Sequence, residues 1–480
     1  MKQVAFLLVV LPLLLCSTKS SMGQAVSNLR TGQIVELESI ESSISGTFVV
    51  ASMERAADFK TRVLVHRSTD RGQSWVLIDS ITPKAGHKEI PDPVLAVDSL
   101  GNFYLVIMRV NENPNIAALT ADLELYVSLD DGNSWSLRST PHIQDSIADY
   151  PQLIARGNGH LYLVYSHIIG FPLISKSTLN FKNSIDGGLT WTMEQSIEEN
   201  SLKSIGPDIN WAYQDSLMIT SGDQDASVIH VFTSGREGDS WIKKASFSIP
   251  GGEKSHITKP IAHPAYQHYG VLSHKPHQED SPIIYHAFFN GIKESKHIDM
   301  GAYAQGYMTD DGIIHLIYNQ RVNDTFQTKY AYSNDKGQTF SQSVSLYTGT
   351  FANSQAGEYQ SLMYGRDGRF YLIFCDWSDL SSAKMLSFLP LLTSKDKGGD
   401  SYAPKIFPNP SAGVLYLEKA VSHQIEKWKV MDLAGRKLST GTFDMGQSEW
   451  IIDLSGLQRG RFILQLETDK KIWVEMIMIE

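Results

Sequence analysis

The sequence predicts an all-β chain: a β-propeller of six or seven blades, with seven favoured, followed by a small C-terminal β-sandwich. An eight-residue turn motif, Ser-x-Asp-x-Gly-x-Ser/Thr-aromatic, recurs at intervals of about 50–60 residues, a spacing typical of repeat folds. Upstream of each turn position lies a short run rich in β-branched and aromatic residues, which indicates a strand. A polar stretch after residue 392 indicates a domain boundary, and the turn motif does not recur beyond it, so we predict a second domain there.

The turn motif combines residues that stabilise a β-hairpin. Asp folds back onto nearby backbone N–H groups, Gly adopts a positive φ, and the aromatic ring buries apolar area from the next strand. A degenerate copy at 234–241 has Arg236 in place of the aspartate. Sugar stacking is the alternative role for the rings, but we expect structural roles in the clean copies for Asp70, Trp75, Asp130, Trp135, Asp186, Trp191, Asp335 and Phe340.

Strand-like runs divide the body into repeats, and they begin at Phe48, Phe103, Leu161, Ser216, Tyr269, Ile313 and Phe370. One repeat resolves into four strands at 93–97, 103–108, 123–128 and 135–138. Four short antiparallel strands make a propeller blade. Seven runs favour seven blades, whereas the weak fifth repeat leaves six open. The last repeat lacks a fourth strand, which the segment 26–34 could supply to close the ring.

The N-terminal residues 1–23 have the features of a signal peptide. Lys2 precedes an apolar run at 4–15, and the small residues Ser21 and Gly23 fit a cleavage site that leaves Gln24 first. A lipoprotein signal, with Cys16 lipidated, is the alternative. No later segment is long and apolar enough to predict a transmembrane helix. We therefore divide the chain into 1–23, a propeller at 24–392, a linker at 393–403 and a tail at 404–480.

Composition and motifs exclude several functions. The net charge of -10 and pI of about 5.8 indicate no nucleic-acid partner. No nucleophile elbow, phosphate-binding loop or HExxH motif occurs. The fifth repeat contains six histidines that could bind zinc or copper. We expect surface histidines there instead, and predict no metal and no cofactor; the six are His256, His263, His268, His274, His277 and His286.

The turn motif and its spacing resemble the Asp-box, or BNR repeat, of sialidases and related β-propellers. The resemblance implies that ligands bind on the face opposite the Asp-boxes, where first strands begin and second strands end. Polar and aromatic residues at those positions, beyond the catalytic candidates named below, are Tyr150, His167, Asp208, Asp223, Asp225, Asp376 and Trp377. Solvated rim side chains are the alternative interpretation.

A sialidase needs three arginines that clamp the substrate carboxylate, a Tyr nucleophile activated by Glu, and an Asp acid/base. The Arg-Ile-Pro signature of the family is missing here, since its nearest counterpart, Asn28-Leu29-Arg30-Thr31, lacks the proline. The resemblance implies as candidates Arg55, Arg109 and Arg321 for the clamp, Tyr303 or Tyr359 with Glu358 for the nucleophile, and Asp92 or Asp149 for the acid/base.

The tail predicts a small β-sandwich, and it resembles the type A C-terminal sorting domain of type IX secretion substrates. The matching segments occur in the family order: Pro408-Asn409-Pro410-x-x-Gly413, Asp432-Leu433-Ala434-Gly435-Arg436, Leu457-x-x-Gly460 and a last strand from Lys470. Arg461 stands where the family usually has Tyr. The resemblance implies recognition by the secretion machinery, export, removal of the tail, and release or attachment to surface lipopolysaccharide.

The sequence thus predicts a secreted or cell-surface bacterial β-propeller that binds glycan or protein through the face opposite the Asp-boxes. A sialidase-type exo-glycosidase is one alternative, and a non-catalytic structural surface module is another.

Overall fold

The structure of the protein is a computed structural model. It describes residues 25–31, 34–55, 61–82, 84–89, 92–113, 115, 118–142, 146–169, 176–198, 203–223, 225–254, 256–275, 278, 281–289, 291–323, 325–350, 360–365, 367–376, 382–390, 405–407, 411, 413–418, 425–432, 436–443, 450–468 and 472–479. Regular structure in this part of the chain is almost entirely β-strand, interrupted by short 3-10 turns at Gly157–Gly159, Tyr213–Asp215 and Pro250–Gly252. The predicted all-β class is confirmed.

The first three units of the body each contain four antiparallel strands in chain order. Units 2 and 3 are joined into one nine-stranded sheet by a parallel bridge between Ala121 and Ile147. Unit 1 contains β2 (Ile34–Ser42), β3 (Phe48–Arg55), β4 (Thr61–Ser68) and β5 (Val76–Ile81). Unit 2 contains β7 (Val94–Val97), β8 (Phe103–Asn111), β9 (Ala121–Ser128) and β10 (Ser136–His142), and β6 (His87–Glu89) also pairs with β8. Unit 3 contains β11 (Ile147–Arg156), β12 (His160–Ile169), β13 (Lys176–Ser184) and β14 (Gln195–Glu198).

Four further units follow the same plan. Unit 4 contains β15 (Ser204–Ala212), β16 (Ser216–Asp223), β17 (Val228–Ser234) and β18 (Ile242–Ser248). Unit 5 contains β19 (Ile257–His263), β20 (Tyr266–His274), β21 (Pro282–Phe289) and β22 (Ile292–Met300). Unit 6 contains β23 (Ala302–Met308), β24 (Ile314–Val322), β25 (Thr325–Ser333) and β26 (Val344–Thr350). Unit 7 contains β27 (Ser361–Tyr364), β28 (Phe370–Asp376), β29 (Ser382–Phe388) and β1 (Ala25–Thr31).

The units close into a ring. The first strand of each unit contacts the first strand of the next, and β27 of unit 7 returns to contact β2 of unit 1. The N-terminal strand β1 pairs with β29, with Ala25 opposite Ser387, so it supplies the fourth strand of unit 7 as predicted. The described strands of the body fall into seven such groups, and the number of blades stays a prediction.

The core lies between adjacent sheets of the ring. Second strands are covered on both faces, so β8 is buried at every residue except its last. This burial explains why these strands appear in the sequence as continuous apolar runs. The aromatic residue of each Asp-box turn packs into the cluster between its own unit and the preceding one: Trp75, Trp135, Trp191, Trp241 and Phe340.

The clean Asp-box turns share one set of hydrogen bonds. In the turn at 128–135, the Ser128 hydroxyl donates to Asp130 Oδ1 (2.8 Å), and Gly132 N donates to Ser128 Oγ (2.9 Å). Ser134 donates to Asp130 twice, from its backbone N (2.9 Å) and from its hydroxyl (2.6 Å). The turns at 68–75, 184–191 and 333–340 repeat this arrangement. The aspartate therefore holds the hairpin through contacts within four residues of itself.

The fourth residue of several turns ties its unit to the preceding one. Asp131 has φ +60° and accepts hydrogen bonds from hydroxyls of unit 1, including that of Thr47 (2.5 Å). At the point where the ring closes, Arg71 of unit 1 pairs with Asp367 of unit 7 (3.2 Å). Lys336 of unit 6 lies over the ring of Tyr266 in unit 5, 5.5 Å from its centroid. These contacts link neighbouring sheets at the end of the ring that carries the turns.

The tail forms a separate β-sandwich. One sheet contains β30 (Lys405–Phe407), β31 (Val414–Glu418) and β34 (Trp450–Asp453). The other contains β32 (Ile425–Met431), β33 (Lys437–Thr442), β35 (Gly460–Thr468) and β36 (Ile472–Ile479). Both sheets contribute to one apolar core that includes Leu415, Val430, Ile452, Leu464 and Ile477. The predicted linker at 393–403 lies outside the described residues.

Candidate functional site at the channel mouth

The channel mouth is the end of the ring at which first strands begin and second strands end. It lies opposite the Asp-box turns, because those turns join third strands to fourth strands in antiparallel sheets. Side chains at the starts of adjacent first strands therefore surround one opening. This is where the sequence predicted ligand contacts.

Several first strands open with an unusual backbone conformation. In β11, β15 and β23 the pairing with the second strand shifts by one residue, which is the signature of a β-bulge. The bulges hold Tyr150 (φ +53°), Gly206 (φ +50°) and Tyr303 (φ +53°), and Asp92 before β7 has φ +56°. Large or charged side chains at positive φ are strained, and strained residues are concentrated at functional sites.

Asp92 and Asp149 form a pair of interacting carboxyl groups at this mouth. They lie at the starts of the first strands of units 2 and 3, and both are half-buried. Burial raises the pKa of Asp92 to about 7, and the charge of Asp149 adds to the increase. Burial raises the pKa of Asp149 to about 6, although a hydrogen bond from the backbone N–H of Tyr150 (2.9 Å) opposes it.

Tyr150 belongs to the same cluster. Burial, and then the charges of Asp149 and Asp92, raise the pKa of its hydroxyl, so the side chain is a neutral phenol. Near neutral pH the cluster therefore combines a phenol with two carboxyl groups, of which one is readily protonated. Such a set can donate and accept hydrogen bonds from a partly dry position.

An ion pair continues the rim into units 4 and 5. Lys259 Nζ lies 2.8 Å from Asp208 Oδ2, and both side chains are largely shielded from water. Asp208 was a predicted rim residue, whereas Lys259 was not predicted. Its signal was present in the sequence, because four first strands have a residue followed by proline near their start: Asp92-Pro93, Tyr150-Pro151, Gly206-Pro207 and Lys259-Pro260.

The structure does not bring Arg109 to the mouth as part of an arginine clamp. Its side chain is 2% exposed and forms an ion pair with the buried Glu124. It also donates to Thr82 O (3.0 Å) and to the Tyr126 hydroxyl (3.0 Å). The guanidinium is therefore committed to contacts inside the protein and is not available to a ligand carboxylate.

Arg321 does not occupy a position equivalent to Arg109. Counted from the positive-φ residue of the first strand, Asp92 in unit 2 and Tyr303 in unit 6, Arg321 lies one residue further along its second strand. It lies opposite Phe326, and its side chain is exposed. A one-residue offset turns a side chain to the other face of a strand. Arg55 ends β3, but its side chain lies outside the described residues, so its role stays a prediction.

Of the residues predicted as a nucleophile and its base, Tyr303 lies among the described residues, and the arrangement of the set stays a prediction. Tyr303 is 4% exposed, its backbone carbonyl accepts a hydrogen bond from Gln360, and its ring lies 6.4 Å from that of His274. Burial removes Tyr303 from easy contact with a ligand. Glu358 and Tyr359 lie outside the described residues.

Other predicted rim residues make contacts within the protein. Asp223 is buried and accepts hydrogen bonds from the backbone of the following loop, and Asp225 pairs with Lys203 (2.6 Å). His167 lies 3.2 Å from Glu194, which also accepts from other buried side chains of unit 3. The side chains of Asp376 and Trp377 lie outside the described residues.

The surface location expected for the histidines of the fifth unit is wrong for four of them, which are buried: His256, His268, His274 and His286. His268 Nε2 lies 2.5 Å from the Tyr285 hydroxyl, and His286 Nε2 lies 2.9 Å from the Ser273 hydroxyl. Burial lowers the pKa of His268 to about 4 and that of His286 to about 3, so both are neutral at pH 7. Within the described ranges, no three His, Cys, Asp or Glu side chains form a group that could hold a metal ion. His277 lies outside them.

Comparison with solved structures identifies the fold of the body. The chain matches the Hadza microbial sialidase Hz136 with a TM-score of 0.50 and 15% identity, over 76% of this chain and 68% of that chain. It also matches the NanB sialidase from Streptococcus pneumoniae, with a TM-score of 0.43 and 11% identity over 76% and 70% of the two chains. An alpha-L-arabinanase from Penicillium chrysogenum matches with a TM-score of 0.44 and 12% identity over 75% and 98%.

The body is thus a β-propeller of the sialidase type, a conclusion about fold that the first comparison supports. Residues 405–480 match the family described as the secretion system C-terminal sorting domain. This tail is recognised by the type IX secretion machinery and implies export to the cell surface or the extracellular space. A search of curated protein sequences found no match to the chain. None of the helices in the described residues is long and apolar enough to cross a membrane.

Proposed function

We propose that the exported propeller binds neutral glycans at its channel mouth, through Asp92, Asp149 and Tyr150. The observation that carries the proposal is the pair of carboxyl groups held half-buried at the starts of two adjacent first strands, beside a strained tyrosine. The export signal supports an extracellular ligand, and the position of the cluster at the starts of first strands supports binding on the face opposite the Asp-box turns.

The chemistry of the cluster suits sugar hydroxyls. A carboxylate accepts hydrogen bonds from hydroxyl groups, and a protonated carboxyl or a phenol donates them back. A partly dry position strengthens such hydrogen bonds relative to those made in open water. An aromatic ring beside the carboxyl groups adds apolar contact for the C–H face of a sugar.

The charge of the cluster favours a neutral sugar over an acidic one. Burial is the main cause of the raised pKa of Asp92, and repulsion by the charge of Asp149 adds to it. The same charges repel a ligand carboxylate. Arg109, which a sialic acid would need as a partner, is bound to Glu124. We therefore expect neutral oligosaccharides to bind more tightly than sialosides of the same length.

The experiment is a glycan array with the full-length exported chain, followed by calorimetry with the best neutral oligosaccharide. Asp149→Asn removes a charge-assisted hydrogen bond to the ligand and is expected to weaken binding by about tenfold or more. Asp239→Asn, at an exposed aspartate of the degenerate turn, is the matched control and should bind normally. Unchanged affinity in Asp149→Asn and Asp92→Asn would overturn the proposal.

Glycoside hydrolysis is the second candidate, and the raised pKa of Asp92 is the observation that favours it. A carboxyl group with a pKa of about 7 can act as a general acid near neutral pH, while the second carboxyl serves as base or nucleophile. Release of nitrophenol from neutral aryl glycosides, lost in Asp92→Asn, would establish an enzyme. Release from a sialoside would instead support the sialidase alternative, and silence in both array and hydrolysis would favour a structural module.

A further inference from the structure

A second concave site lies at the other end of the ring, among the turns that join first strands to second strands. The cleft has a volume of about 470 Å³, within the range of about 300–1,000 Å³ that is typical of small-molecule sites. Units 2 to 5 contribute to it. The lining residues that matter here are Ala155, Arg156, Asn158, Trp211, Asp215 and Pro264.

The lining combines an apolar floor with a balanced polar rim. The guanidinium of Arg156 lies over the Trp211 ring, 5.6 Å from its centroid, and Arg156 Nη2 lies 3.5 Å from Asp215 Oδ2. Ala155 and Pro264 complete the apolar part of the wall. Arg156 and Asp215 carry opposite charges, so the lining offers both hydrogen-bond donors and an acceptor.

The backbone around the cleft is strained on both sides. Asn158 has φ +66°, and the consecutive residues Gln214 and Asp215 have φ +57° and +58°. Gln214 N donates to Pro264 O (2.9 Å), which fixes the Gln214–Asp215 turn against unit 5. Two successive non-glycine residues in the left-handed region are costly, so the protein maintains the position of Asp215 at the expense of stability.

The degenerate Asp-box turn supplies the residue that orients Asp215. Arg236 stands where the clean turns have their aspartate, and its Nη2 lies 2.8 Å from Asp215 Oδ2. Among the described Asp-box turns, the turn that lacks the aspartate is therefore the one whose substituting residue, Arg236, pairs with a residue of the cleft lining. Departures from local sequence rules are expected at functional sites.

We infer that this cleft is a second binding site, for a neutral saccharide. A sugar ring has apolar C–H faces and hydroxyls that both donate and accept hydrogen bonds. Ala155 and Pro264 offer the apolar surface, Arg156 above the Trp211 ring and the Asn158 amide donate, and Asp215 accepts. The site is separate from the channel mouth, so it does not depend on the function proposed for Asp92 and Asp149.

The test measures binding of free maltose, cellobiose, lactose and xylobiose to the full chain, by ligand-observed NMR and calorimetry at millimolar concentrations. Asn158→Gly keeps the left-handed backbone and removes only the amide, and we expect affinity to fall about tenfold. Asn323→Gly is the matched control, because Asn323 also has a left-handed backbone (φ +56°) but lies at a remote turn of unit 6. It should leave the affinity unchanged.

Arg236→Asp separates a role in binding from a role in folding. The change restores the aspartate of the repeat, with Ser234 and Ser240 in place to bond it, so the thermal midpoint should stay level or rise. The affinity should fall because Asp215 loses its orienting contact. The inference is overturned if none of the four disaccharides binds, or if Asn158→Gly and Arg236→Asp both bind like the unchanged chain. Loss of binding in Asp149→Asn but not in these two variants would assign the sugar to the mouth alone.

Discussion

The strained carboxyl pair predicts that Asp92→Asn makes the protein more stable, and only above acidic pH. In the unfolded chain Asp92 titrates near its ordinary pKa of 3.8, whereas burial and Asp149 raise the pKa to about 7 in the fold. A carboxyl whose folded pKa is raised imposes no cost below pH 4. The cost grows as pH rises from 4 to 7 and is constant above pH 7.

The magnitude follows from the shift. At about 1.4 kcal/mol per pKa unit, a rise from 3.8 to about 7 corresponds to about 4 kcal/mol. Partial access of water and the shared proton reduce this, so we expect a gain in the free energy of unfolding of about 2–4 kcal/mol at pH 8.

The assay is urea unfolding of the full chain at pH values from 4 to 8, with Asp239→Asn as the exposed control. The difference between Asp92→Asn and the unchanged chain should be close to zero at pH 4 and reach its full value by pH 8. A variant that is less stable at pH 8, or whose difference does not change with pH, would refute the raised pKa of Asp92. A gain in stability together with lost glycan binding would show that the pair is retained for function.

Three further predictions concern the ring and the corrected site residue. Gly132→Ala places a Cβ 2.7 Å from Val49 of the preceding unit, whereas Gly46, with a similar φ (+86° against +83°), has open space around it. Gly132→Ala should therefore lower the melting midpoint well beyond Gly46→Ala. Equal effects would show that packing between units is not involved. Hydrogen bonds from Thr190 and Ser184 lower the pKa of Asp186 to about 2. The contribution of the ionised Asp186 to the free energy of unfolding should therefore be present above pH 4 and vanish as pH falls to 2. In acid unfolding, Asp186→Ala should be as stable as the unchanged chain only near pH 2. Arg109→Ala leaves the buried Glu124 with Lys84 as its remaining cation, and it should lower the free energy of unfolding in denaturant by about 3 kcal/mol. A variant that stays stable and loses only glycan affinity would show instead that Arg109 contacts the ligand.

The fold was predictable from the sequence because its signals are local. Each Asp-box turn is held by bonds between residues at most four apart, so the motif contains the whole arrangement in a single stretch. The second strands are buried on both faces, and their apolar runs follow directly. Strand β33 of the tail was missed, because its alternating exposed residues Lys437–Thr442 lack an apolar run.

The candidate site was only partly predictable because its partners are distant in the chain. Asp92 and Asp149 could be placed at one mouth from the order of strands, but their coupling depends on which first strands are neighbours in space. The misplacement of Arg109 and Arg321 has a different cause. Bulges and cross-strand partners set which face a side chain takes, and neither the shift in β23 nor the pairing of Arg109 with Glu124 can be seen in the sequence.

Because β1 pairs with β29, the N-terminal strand of the body completes its last sheet. Until Ser387 has emerged and met Ala25, the seventh sheet lacks its outer strand and β29 presents an unpaired edge. The ring can therefore close only after both ends of the body are available to pair. Proteolytic removal of β1 would expose the same edge of β29, and this unpaired edge would promote aggregation with other chains.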